Sequence, residues 1–172
     1  TPVHMGAGPS WPVYGLPEEQ ALLRALHSGQ WGKIDGTEVA AFEKRFAEYV
    51  GAKHAIGVCN GTVSLRIALM AAGIEAGDEV IVPPYTFLAT ATAVIEANAT
   101  PIFVDIERET FNLDPKLIEK AITSRTRAII PVHLGGMACD MDAINTIAKK
   151  HNLTVIEDAA HAHGSEYRSK KV

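Results

Sequence analysis

From residue 54 onward, short apolar runs rich in valine and isoleucine alternate with helix-length segments. The runs 54–59, 79–82, 100–104, 127–132 and 154–157 predict strands, and 62–72, 87–97, 114–121 and 142–151 predict the helices between them. Asp114-Pro115 reads as an N-cap followed by proline at the first helical position, and Gly73 as a helix C-terminus. Strands this apolar, separated by helices, imply an α/β fold: a three-layer, mostly parallel sheet flanked by helices, with right-handed crossovers.

The first 36 residues stand apart from this alternation. Residues up to Gly15 are rich in glycine and proline and read as an extended arm. Pro17 then opens a helical pattern with Leu22, Leu23 and Leu26 on one side, which Gly29 ends. A second helix starts at Thr37 and carries Val39, Phe42, Phe46 and Tyr49 at near 3.6-residue spacing, with Gly51 as its stop. That apolar face is expected in the core. The chain therefore divides into an arm and helix over 1–36 and one continuous layer over 37–172.

Composition narrows the possible partners. A hydrophobic content of 47% with 21% charged residues is that of a globular chain. A net charge of −4 with scattered basic residues lacks the footprint of a nucleic-acid binder, so a small-molecule partner is expected. Cys59 and Cys139 have no C-x-x-C spacing and suggest a reducing, cytoplasmic setting. No apolar stretch approaches the roughly 20 residues that span a bilayer, and the first residues lack a signal-peptide core, so no membrane partner is expected.

In a parallel sheet, ligands bind beyond the carboxyl ends of the strands. The residues there are Asn60-Gly61-Thr62, Pro84-Tyr85-Thr86-Phe87, Asp105, His133 and Glu157-Asp158-Ala159-Ala160-His161. Asn60-Gly61-Thr62-Val63-Ser64 joins a strand to a helix and sets free N–H groups at the positive end of a helix dipole, where a phosphate is favoured; the other reading is an ordinary N-cap. Phe87 follows a strand end broken by Pro83-Pro84 and can stack on a planar ligand or pack in the core. Asp158 ends a buried strand and needs a partner, which a protonated pyridine nitrogen, a helix terminus or a metal would supply. His133, Asp140, His161 and His163 form a rival, zinc-holding set without diagnostic spacing, and no metal is expected.

The blocks 61–65, 77–80, 82–87, 99–105 and 155–161, in this order, resemble the DegT/DnrJ/EryC1/StrS aminotransferase family, members of fold type I of the pyridoxal-phosphate enzymes. The resemblance implies the N-terminal part of a cofactor-binding large domain and pyridoxal 5'-phosphate as cofactor. It implies that Gly61, Thr62 and Val63 hold the phosphate, Phe87 stacks on the pyridine, Asp158 pairs with the ring nitrogen and His161 sits near the ring hydroxyl. Ser64 stands where the family often has alanine. The expected reaction moves an amino group from glutamate or glutamine to a keto-sugar, nucleotide-linked in many relatives, or to a cyclitol, in a cytoplasmic homodimer. The family's Schiff-base lysine falls in a later segment than Val172, so residues 1–172 are expected to be a truncated, inactive part. A sugar dehydratase with histidine in place of that lysine, or a non-catalytic module binding sugar or cofactor, are the alternatives.

Overall fold

Strand β1 (Glu79–Val82) is buried at every position and lies between β2 (Thr100–Phe103) and β3 (Thr126–Ile129), with β4 (Thr154–Val155) beyond β3. The order is β2-β1-β3-β4 and every ladder is parallel. This arrangement comes from a computed structural model that describes residues 12–172. The arm expected up to Gly15 lies, through residue 11, outside the described residues.

Among the described residues, six α-helices accompany the strands: α1 (Leu16–Ser28), α2 (Glu38–Val50), α3 (Gly61–Ala71), α4 (Ala89–Glu96), α5 (Pro115–Ala121) and α6 (Met141–His151). The two-residue period of the strands sorts their side chains between two cores. Val80, Val82, Ala128 and Ile130 meet Leu65 and Leu69 of α3 and Ala93 and Val94 of α4. Ile81 and Ile129 point the other way, onto Ile118 of α5 and Met141, Ile144 and Ala148 of α6. Fully buried isoleucines and leucines of this kind each contribute roughly 1.5–3 kcal/mol, so the three-layer α/β architecture is the one that covers both apolar faces of the sheet.

Local signals set the helix ends. Asn60 accepts from the Val63 N–H at 3.0 Å, Asp114 from Lys116 at 2.9 Å and Asp140 from Ala143 at 3.1 Å, each capping the helix that follows. Pro115 occupies the first turn of α5 as expected.

Three expectations are corrected, and one element is unforeseen. Residues 54–59 form no strand among the described residues, because an extended run becomes one only by pairing, and no described strand bonds to it. Its Ile56 remains 74% exposed. The run 127–132 yields a strand only to Ile129, since Pro131 brings no N–H to the ladder; pairing resumes in the bridge Val132–Asp158. The apolar face of α2 is not core: Ala47 alone is buried, and no residue of α1 is. The two cores are already closed by α3 to α6, and α2 reaches only outer contacts such as Phe46 on His163 at 5.9 Å. Finally, residues 166–171 fold back as the antiparallel hairpin β5 (Glu166–Tyr167) and β6 (Lys170–Lys171), which the alternating pattern gave no reason to expect.

Candidate functional site

The carboxyl end of the sheet opens into a cleft of about 270 Å³ whose lining includes Gly61, Thr62, Thr86, Phe87, Asp158 and His161. Three segments far apart in sequence meet there: the start of α3, the loop between β1 and α4, and the loop after β4. Val63 lies behind this lining, its N–H engaged by the Asn60 cap.

The N–H groups of Gly61 and Thr62 belong to the first turn of α3 and have no acceptor within their own helix. They lie at the positive end of its dipole, which suits an anion. A Cβ added to Gly61 would meet no protein atom within 4 Å. Protein packing therefore does not require glycine here; the space it leaves belongs to the cleft.

Phe87 precedes α4 and is 74% exposed, so its ring is available to the cleft rather than spent on the core. Tyr85 turns away and packs at 5.6 Å against Phe111. Asp158 is half-buried. Its Oδ2 accepts from the Thr90 hydroxyl at 2.8 Å, and its Oδ1 accepts from the Ala160 N–H at 3.3 Å. No ion pair to Asp158 occurs among the described residues, so the carboxylate has hydroxyl and amide partners but no counter-charge. His161 is exposed at the rim, with Nδ1 accepting from Gly135 N–H at 3.4 Å.

Thr90 is the residue that pattern reading passed over. It is 1% exposed and sits inside a run of alanines and threonines that reads as ordinary helix. The spacing of Thr86 and Thr90, four apart, is the one signal that could have placed two hydroxyls together.

The rival zinc set does not converge. His133 is fully buried; its Nδ1 accepts from the Cys139 N–H at 3.1 Å, so the proton is on Nε2, which donates to Glu157 at 2.9 Å. Asp140 caps α6, and His163 packs on Phe46. No group of three or more histidine, cysteine or acidic residues suited to a metal occurs among the described residues. Asp105 is engaged by its own backbone, its carboxylate accepting from Ile106 N–H at 2.8 Å.

An anion site at a helix start, an aromatic ring and a carboxylate seeking a cation are together the donor set for a phosphorylated, protonated heteroaromatic ring. Comparison with known proteins identifies a family. The model of the DegT/DnrJ/EryC1/StrS aminotransferase family matches residues 15–172. UDP-2-acetamido-2-deoxy-3-oxo-D-glucuronate aminotransferase of Pseudomonas aeruginosa is 50% identical over 153 residues, 89% of this chain and 42% of that protein. L-glutamine:2-deoxy-scyllo-inosose aminotransferase of Micromonospora echinospora is 43% identical over 179 residues, 100% of this chain and 42% of that protein. Among solved structures, NtdA of Bacillus subtilis with bound cofactor PMP superimposes with a TM-score of 0.79 at 41% identity, covering 82% of this chain and 32% of that one. The chain spans about two fifths of the length of the curated relatives it matches.

Proposed function

Because the chain belongs to the DegT/DnrJ/EryC1/StrS aminotransferase family, we propose that it provides the cofactor cleft of a pyridoxal-phosphate-dependent aminotransferase. The reaction moves an amino group from glutamate or glutamine to a keto-sugar, nucleotide-linked, or to a cyclitol. The observation that carries this reading is the meeting of the α3 N-terminus, the exposed Phe87 ring and Asp158 in one cleft.

When bound, pyridoxal phosphate supplies an electron sink for the bonding pair released at the substrate carbon. The residues of this chain bind and orient it. Gly61 and Thr62 offer N–H groups, and Thr62 a hydroxyl, to the phosphate at the positive end of α3. Val63 acts through the same turn by fixing the Asn60 cap. Phe87 covers one face of the ring and keeps water from it. Asp158 would be the counter-charge that holds a proton on the ring nitrogen, and His161, at the rim, would serve the ring hydroxyl.

Residues 37–172 belong to the large, cofactor-binding domain, with 1–36 as its N-terminal arm and helix. The homodimer and the cytoplasmic setting that the family resemblance implies belong to the same reading.

The test is intact mass of the protein at its native length, before and after borohydride reduction with pyridoxal phosphate, followed by peptide mapping. One stoichiometric adduct on a lysine is the expected result. Cofactor binding without a reducible adduct would replace the aminotransferase reading with that of the dehydratase, and no binding at all would leave a non-catalytic module.

A further inference from the structure

The Thr90 hydroxyl lies behind the cleft rather than in it. The other threonine of α4, Thr92, bonds back along its own helix, to the carbonyls of Leu88 and Ala89 at 3.2 and 3.3 Å. Thr90 instead reaches across to the segment after β4 and donates to Asp158 Oδ2 at 2.8 Å. Its oxygen also lies 2.9 Å from Thr86 Oγ1.

A hydroxyl has one hydrogen to give. With the Thr90 hydrogen committed to an ionised carboxylate, the hydrogen between the two threonines has to come from Thr86. The order is then Thr86 to Thr90 to Asp158, a directed chain that ends on the carboxylate. Hydrogen bonds to an ionised acceptor are about twice as strong as neutral ones, and Thr90, at 1% exposure, makes this one out of reach of water. Oδ1 has only the long 3.3 Å contact with Ala160 N–H, so it is the oxygen with acceptor capacity to spare.

We propose that Thr90, backed by Thr86, is a positioning residue that anchors Oδ2 of Asp158 and thereby presents this carboxylate as counter-charge to a protonated ring nitrogen. The inference rests on the cofactor reading above. It differs from a purely structural tie between α4 and the loop after β4, because the tie would leave the protonation of a bound ring unaffected.

The experiment uses the protein at its native length with pyridoxal phosphate carrying ¹⁵N at the ring nitrogen, whose chemical shift reports protonation. Thr90→Val is expected to weaken pyridoxal-phosphate binding about ten-fold, the loss of one hydrogen bond to a charged group. Its ring-nitrogen resonance should move toward that of neutral pyridine. Thr90→Ser, which keeps the hydroxyl, should restore both readouts. A Thr90→Val protein whose resonance stays at the wild-type position overturns the proposal, whatever its affinity. Should Thr90→Val not fold, Thr86→Val removes the outer hydroxyl from a half-buried site: a shift in the same direction supports the chain, and an unmoved resonance overturns it. Failure of the underlying reading looks different, since the wild type would then not bind pyridoxal phosphate, or Asp158→Asn would leave its ring nitrogen unchanged.

Discussion

At the scale of single residues, surroundings rather than identity separate the two cysteines. Cys139 is 1% exposed, and its Sγ–H donates to the Val132 carbonyl at 3.2 Å. Burial, with the charge of Glu157 as a lesser cause, pushes its thiol up to about 12. Cys59 is exposed next to the Asn60 cap. Since the thiolate is the reactive form, Cys59 should be alkylated in the native protein at neutral pH while Cys139 reacts only in denaturant. Mass mapping after iodoacetamide checks this, and modification of Cys139 under native conditions would contradict its burial. The same contrast governs what could be read beforehand. Gly61, Phe87 and Asp158 lie shortly after apolar runs, where the chain leaves an extended segment. Thr90 gave no such signal, because its partner Asp158 lies on a different element and only the packing of α4 against the sheet brings them together.

At the scale of elements, the β5–β6 hairpin has an unusual turn. Arg168 and Ser169 both have positive φ, 48° and 63°, as a two-residue primed turn requires, yet neither is glycine or asparagine. Arg168 is held there by an ion pair to Asp142 and by its guanidinium at 5.6 Å over the Tyr167 ring. Among the described residues, Ser169 makes no compensating contact of that kind. Ser169→Gly should therefore stabilise the protein by about 1 kcal/mol, read as a higher urea midpoint at constant slope. An unchanged or lower midpoint would show that the turn is not under strain. The run 54–59 teaches the complementary lesson. Its apolar pattern is that of a strand, but pairing depends on a neighbour, and α2 likewise has an amphipathic period that no layer covers among the described residues.

For the whole molecule, three ion-paired glutamates couple stability to acid. The Thr123 hydroxyl and then the Arg125 guanidinium hold the buried Glu79 carboxyl below its usual value near 4.5. Lys33 and then the Gly57 N–H do the same for Glu43, and Lys150 and then His151 for Glu119. A carboxylate whose folded value is depressed adds stability that is complete above the unfolded value and is lost as pH falls through the folded one. The urea midpoint should hold from pH 7 to about 5 and decline below about 4.5, and Glu79→Gln should be less stable than wild type at pH 7 but approach it near pH 3. A gap that stays constant across that range would contradict the coupling.

The alternation of apolar runs with helical segments, the caps at Asn60 and Asp114 and the polar residues after apolar runs were sufficient for the α/β class and for bringing Gly61, Thr62, Phe87, Asp158 and His161 to one cleft. These are consequences of local periodicity and of where a chain must leave a sheet. Only the tertiary structure decided the order β2-β1-β3-β4, the solvent-facing positions of the α1 and α2 leucines and aromatics, the dispersal of the histidines and the hydroxyl chain behind Asp158. Each of these depends on which surfaces meet across long stretches of chain, and the hydrophobic pattern states that a face is to be covered without stating by what.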